Sequence, residues 1–151
     1  TEIDLNDAIE DALRHVDLII KNQKGKIITQ LDASQTIFKA NLNHFTNLIV
    51  NMLDNAIKYT EGAPIITIST SNEDKSILLS INDQGIGMDD TTQIHIFDKF
   101  FRKPSGNIHN VKGHGLGLSY VKKIIELHGG DIKLISKLGE GTTFIISVPL
   151  L

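Results

Sequence analysis

The chain of 151 residues contains no cysteine. Disulfide cross-links and cysteine-ligated zinc are therefore excluded, and an intracellular setting is permitted though not required. Proline is scarce, at 3, and only 8% of the chain is glycine, 12 residues of which seven are clustered. Net charge is also small, at −3, so bulk electrostatics offer no case for nucleic-acid or membrane-surface binding. No apolar run approaches the roughly 18 residues of a membrane span, and no signal-peptide pattern opens the chain. Thr1 in place of methionine is expected of a piece excised from something longer. At this length a single domain, residues 1–151, can remove about 68 to 70% of its unfolded surface from water without staples.

What is present centres on Phe45–Thr60. Phe45, Leu48, Ile49, Met52, Leu53, Ala56 and Ile57 recur at helical spacing and predict a core-facing stripe. The other face carries Asn47, Asn51, Asn55 and Lys58, although asparagine is a mediocre helix former. A solvated face is the plain explanation, but such faces favour Glu, Lys and Arg in i, i+4 pairs. Neutral amides offer carbonyl oxygens without adding negative charge. A hard cation already bound to phosphates takes such ligands, and a nearby lysine can meet the same phosphates.

In chain order, a short extended start at Ile3–Leu5 precedes a helix through Ala8, Ile9, Leu13, Val16 and Ile20, with Asn6 and Asp7 suited to its N-terminus and an end near Lys24-Gly25. Lys26–Asp32 and Thr36–Lys39 read as short strands around Ala33-Ser34-Gln35. After the asparagine-striped helix, Ile65–Ser71 and Ser76–Asn82 form a hairpin across Asn72-Glu73-Asp74-Lys75. A short helical piece is expected around Asp90–Phe97, and a further helix over Leu118–Leu127 ends at His128-Gly129-Gly130. Asp131–Ser136 and Thr142–Val148 form a second hairpin. The expected fold is α/β of the α+β kind: a two-layer sandwich with a mixed, largely antiparallel sheet and helices on one face.

Seven of the glycines fall in three clusters. Asp83-Gln-Gly85-Ile-Gly87 follows a strand; a turn would account for it, while the functional reading has glycine backbone approaching a flat ring and Asp83 accepting from an exocyclic amine such as adenine's. Gly113-His114-Gly115-Leu116-Gly117-Leu118 opens a helix, where unpaired N–H groups and the positive dipole end favour phosphate. It is neither a dinucleotide fingerprint, which needs glycine at Leu118, nor a Walker loop. Gly139-Glu-Gly141-Thr142 is most simply a hairpin turn.

In this order, the three clusters and the asparagine helix resemble the ATP-binding catalytic domain of sensor histidine kinases, within the gyrase, chaperone and mismatch-repair ATPase superfamily. The resemblance covers essentially the whole chain from the first helix to Pro149. It implies a Bergerat-type fold binding ATP and Mg2+, with Asn55 as the magnesium ligand and Asn51, Lys58 and Tyr59 near the phosphates. Asp83, Gly85 and Gly87 fall on the family's adenine-side glycine box, and Gly113 to Leu118 (Gly113, His114, Gly115, Leu116, Gly117, Leu118) on its phosphate side. Ile96–Arg102 is similar to its phenylalanine box, and Thr142–Phe144 to its closing strand. A nucleotide lid over about 84–117 is implied, with Arg102 available to phosphate; Phe97, Phe100 and Phe101 either fold that lid or simply anchor the loop in the core. Asn51, Lys58 and Arg102 are the implied catalytic set.

Such a kinase transfers phosphate to histidine, yet His15, His44, His95, His109, His114 and His128 lack the family's acceptor context and share no metal spacing. Each is expected to be structural or solvent-facing, His114 alone being placed to touch phosphate. The acceptor is therefore expected on a separate dimerisation domain of the same parent, with a response regulator downstream and the whole in the cytoplasmic part of a membrane-anchored sensor. No nucleic acid and no direct membrane contact are expected of this part. Two other functions stay open: a self-contained ATPase clamp, and a nucleotide sensor or serine-kinase anti-sigma module. Those relatives tend to keep a water-activating glutamate where Asn51 stands, and an amide is no general base.

Overall fold

The computed structural model describes residues 1–98 and 117–151. Strand β1 (Glu2–Asp4) runs directly into helix α1 (Leu5–Asn22), because the Asp4 side chain accepts from the Asn6 N–H at 2.9 Å and caps it. The helix thus starts just ahead of the Asn6-Asp7 pair that the sequence suggested. Its buried stripe is Leu5, Ala8, Ile9, Ala12, Val16 and Ile20. Helix α2 (Leu42–Lys58) is capped by Asn41, which accepts from His44 N–H at 3.0 Å, and buries all seven expected apolar residues together with Thr46. Phe45 lies at the centre of this layer, edge-on to Phe38 at 4.8 Å and to His128 at 5.2 Å.

Strands β2 (Lys26–Leu31) and β3 (Ile37–Lys39) do not pair with each other. β3 joins β1 in an antiparallel two-stranded sheet, and β2 lies parallel to β4 (Ile65–Glu73) at the edge of the main sheet. The link between them is held by β4 side chains: Thr70 Oγ1 accepts from Ala33 N–H at 3.1 Å, and Asn72 exchanges two hydrogen bonds with the Gln35 backbone at 3.0 and 2.9 Å.

The main sheet has the order β2-β4-β5-β7-β6, where β5 is Ser76–Asp83, β6 Asp131–Ser136 and β7 Thr142–Pro149, and every pair but β2–β4 is antiparallel. Alternation decides which face is dry. Ile66, Ile68, Ile77, Leu79, Ile81, Phe144, Ile146 and Val148 are buried, whereas Thr67, Ser69, Ser80, Asn82, Thr143 and Ser147 occupy the intervening positions. The expected two-layer architecture, with helices α1, α2 and α4 (Gly117–Leu127) on one face, is the one observed. The short helix α3 (Asp90–His95) is capped by Asp89, whose carboxylate accepts from Thr92 N–H at 2.7 Å. Among the described residues no helix is long and apolar enough to cross a membrane.

One consequence of the register positions the site. Asp83 ends β5, Thr142 begins β7, and the two are directly paired on the buried face. Two polar residues therefore stand at the helix-covered end of an otherwise apolar surface.

Candidate functional site

A narrow cleft, partly open to solvent, lies between the C-terminal half of α2 and this end of the sheet. Asn55 and Ala56 from α2, Tyr59 at its C-terminal cap, Asp83 and Thr142 from the sheet, and Leu118 from the first turn of α4 line it. Gly87, Met88, Thr92 and Ile96 close it from the α3 side, above Phe144.

Asp83 is only 8% exposed. Its Oδ1 accepts from the Gly85 N–H at 2.8 Å, and the Thr142 backbone donates to the carboxylate as well. Burial pushes its pKa above the ordinary carboxylate value, while the two N–H bonds pull it part of the way back. The result is a desolvated acceptor held in one orientation, which suits a donor such as an aromatic amine.

The loop after Asp83 is clasped on both sides. Ile86 N–H donates to the Tyr59 carbonyl at 3.1 Å, and the Ile86 carbonyl accepts from Gly139 N–H at 2.7 Å. Gly87 has φ of +72°, and a β-carbon there would stand 2.1 Å from the Lys137 carbonyl oxygen. Its missing side chain thus makes room for the chain itself, in addition to any ring entering the cleft. The third glycine cluster is a hairpin turn, as the simple reading held, with Glu140 N–H donating to Lys137 O at 2.9 Å. It is also one jaw of the clasp.

Ser136 joins the two jaws. Its hydroxyl accepts from Met88 N–H at 2.8 Å, donates to Gly141 O at 2.9 Å, and lies 2.9 Å from Thr142 Oγ1. Gln93 on α3 adds its carboxamide N–H groups to Met88 O at 2.8 Å and Ser136 O at 3.1 Å. Neither residue stood out in the sequence, where Ser136 is an ordinary strand end and Gln93 one polar residue among several.

Of the residues singled out in the sequence, the fold brings Asn55, Tyr59, Asp83, Gly87, Leu118 and Thr142 to one cleft. Gly85 sits just behind the wall, holding Asp83. Asn51 is half-buried one turn back along α2, and Lys58 Nζ is 2.8 Å from Asp54 Oδ2; neither lines the cleft. Gly117 opens α4 beside it. Arg102, Gly113, His114, Gly115 and Leu116, with Phe100, Phe101 and His109, lie outside the described residues. Residues 84–98 of the expected lid are bound into the fold: Thr92 and Ile96 are buried, and Phe97 packs edge-on against Phe144 at 6.1 Å. The core-anchor reading therefore holds for Phe97. Ala56, Met88, Thr92 and Ile96 also line the cleft; helical spacing marked Ala56 for the core, while the other three fell within the expected lid, Ile96 at the start of the phenylalanine box, without being named as binding residues.

The described histidines are structural or solvent-facing. His15 and His128 donate to the carbonyls of Asp11 and Ile124, at 2.8 and 2.7 Å, and His95 pairs with Asp98 at 2.8 Å. His44 is exposed.

The Asn55 carboxamide lines the cleft, and its side chain makes no hydrogen bond among the described residues, so its oxygen remains available to a hard cation.

The family model described as histidine kinase-, DNA gyrase B-, and HSP90-like ATPase matches residues 40–151. The sensor protein RprX of Bacteroides fragilis is 43% identical over 152 residues, covering 99% of this chain and 29% of its own length. The signal transduction histidine-protein kinase ArlS of Staphylococcus aureus is 38% identical over 118 residues, covering 78% of this chain and 26% of its own. Among solved structures, the catalytic domain of histidine kinase ThkA superposes with a TM-score of 0.85 at 26% identity, covering 99% of this chain and 95% of that one. ThkA in complex with the response regulator protein TrrA gives 0.81 at 24% identity, over 100% of this chain and 42% of that one. The chain belongs to this ATPase family, and within it to the ATP-binding catalytic domains of sensor histidine kinases. It spans less than a third of the length of the curated relatives it matches.

Proposed function

We infer that this chain binds Mg-ATP in the cleft and delivers the γ-phosphoryl group to a histidine on a separate dimerisation domain of the same parent protein, which a response regulator then draws upon. The observation that carries the reading is Asp83, a buried carboxylate held by two backbone N–H groups at the dry end of a cleft whose other wall bears Asn55. Asp83 accepts from the adenine amine, and the apolar walls at Ala56, Met88, Ile96 and Phe144 exclude water from the ring. Magnesium, when bound, neutralises phosphate charge; Asn55 is the residue to hold it. Lys58, Arg102 and the backbone from Gly113 to Leu118 are assigned to the phosphate side on the family resemblance.

Phosphoryl transfer asks for positioning and charge stabilisation more than for a base on this chain. The bond from the γ-phosphorus to the β,γ-bridging oxygen breaks, a bond to the acceptor imidazole nitrogen forms, and the imidazole proton leaves to an acid residue beside that acceptor. Asn51 takes no proton from water, which favours transfer to histidine over a self-contained ATPase clamp or an anti-sigma-type serine kinase. The parent is read as a membrane-anchored sensor with this part in the cytoplasm. The test is incubation with γ-labelled ATP, with and without the parent's histidine-bearing helical domain. Label should pass to that domain and not to this chain. Rapid phosphate release without the added domain would move the assignment to the ATPase branch.

A further inference from the structure

The Ser136 hydroxyl has one proton and two lone pairs, and three partners around it. Gly141 O can only accept, so the 2.9 Å contact to it uses the serine proton. Met88 N–H can only donate, which uses one lone pair at 2.8 Å. The remaining contact, 2.9 Å to Thr142 Oγ1, then exists as a hydrogen bond only if Thr142 donates. The Thr142 proton is thereby committed behind the wall. Thr142 lines the cleft beside the paired Asp83, and any group that meets its hydroxyl there meets a lone pair and no proton.

We propose that Ser136 is a positioning residue for base specificity: by taking the Thr142 proton it makes the floor of the cleft acceptor-only, so that an amino group is read and a carbonyl at the same place is refused. This deepens the adenine reading of the cleft and rests on it. Gln93 supports the arrangement by donating to the Ser136 carbonyl and to that of Met88, which keeps the serine backbone and the Met88 N–H in place. A hydroxyl free to rotate would answer either a donor or an acceptor, so selectivity depends on the serine although it touches no ligand.

The experiment is titration calorimetry of the intact chain with ATP and with inosine triphosphate, which carries a carbonyl in place of the amine. Wild type should prefer ATP. Ser136→Ala should shrink that preference roughly five- to tenfold, the value of about one buried hydrogen bond, chiefly by improved binding of the inosine nucleotide. Ser136→Thr, which keeps the hydroxyl, should restore it. A merely structural serine would weaken both nucleotides alike and leave their ratio unchanged, and that outcome overturns the proposal. If Ser136→Ala does not fold, Thr142→Val tests the same floor: it removes the lone pair, and an unchanged ratio is again fatal. Failure of the adenine reading looks different, since wild type would then bind the two nucleotides equally.

Discussion

A β-carbon on Gly141 would stand 2.2 Å from the backbone carbonyl oxygen of Asp83, so the hairpin turn and the main chain of Asp83 are pressed together with no room for a methyl group. Gly141 also has φ of +84°. Gly141→Ala should therefore destabilise the fold by about 1 to 3 kcal/mol from backbone strain alone, with the clash adding to it. Denaturant unfolding measures the first effect, and ATP titration should show a weakened site even where the variant is fully folded. Unchanged stability would mean that the hairpin separates freely from Asp83.

Asp83 is expected to trade stability for recognition. Its folded pKa is raised by burial, so the stability it contributes is complete below the ordinary carboxylate pKa and is lost as pH rises through the raised value. Asp83→Asn, which can still accept from Gly85, should be at least as stable as wild type at neutral pH, and the difference should vanish in acid. Asp83→Ala should weaken ATP binding by about 1.5 to 3 kcal/mol, the range for a hydrogen bond to a charged group. Thermal melts across pH and calorimetry check the two halves separately.

Asn55 makes a prediction about the metal. Removing its amide should reduce the benefit of magnesium to ATP binding while leaving metal-free binding nearly intact. Titrations of Asn55→Ala with and without magnesium decide it. A variant matching wild type in both would return the asparagine stripe to a solvated surface.

Asn51 separates kinase from ATPase. Placing a carboxylate there with Asn51→Glu offers a base to water, and a positioned base is worth about 10²- to 10⁴-fold. Phosphate release by the isolated chain should rise at least roughly tenfold, with ATP affinity little changed. No rise would show that position 51 does not face attacking water.

The extent to which sequence foretold structure follows from how local each signal is. The two hairpins, the face of α2 and the Asp83 loop were legible because alternation, helical spacing and glycine act over a few residues. The parting of β2 from β3 was not, since the partners that hold it apart, Thr70 and Asn72, lie far along the chain. Asp4 was passed over as a cap because Asn6 and Asp7 offered the same chemistry two and three residues later. Ser136 was illegible for a deeper reason: its importance resides in how Met88, far along the chain, and the adjacent Gly141 and Thr142 converge on one hydroxyl, and no local pattern announces that meeting.

The parallel pairing of β2 with β4 has a kinetic meaning. Every other strand pair of the main sheet is antiparallel, and β4–β5 and β6–β7 close across short turns, whereas Lys26–Leu31 must find Ile65–Thr70 with the whole of α2 between them. Loop closure over that distance costs entropy before any contact repays it. β2 is accordingly expected to pair only after the β4–β5 and β6–β7 hairpins have formed. Pulse-labelled exchange during refolding should show the amides paired within the β4–β5 and β6–β7 hairpins protected ahead of those in β2. Mutations in β2 should then chiefly speed unfolding and leave the folding rate nearly untouched.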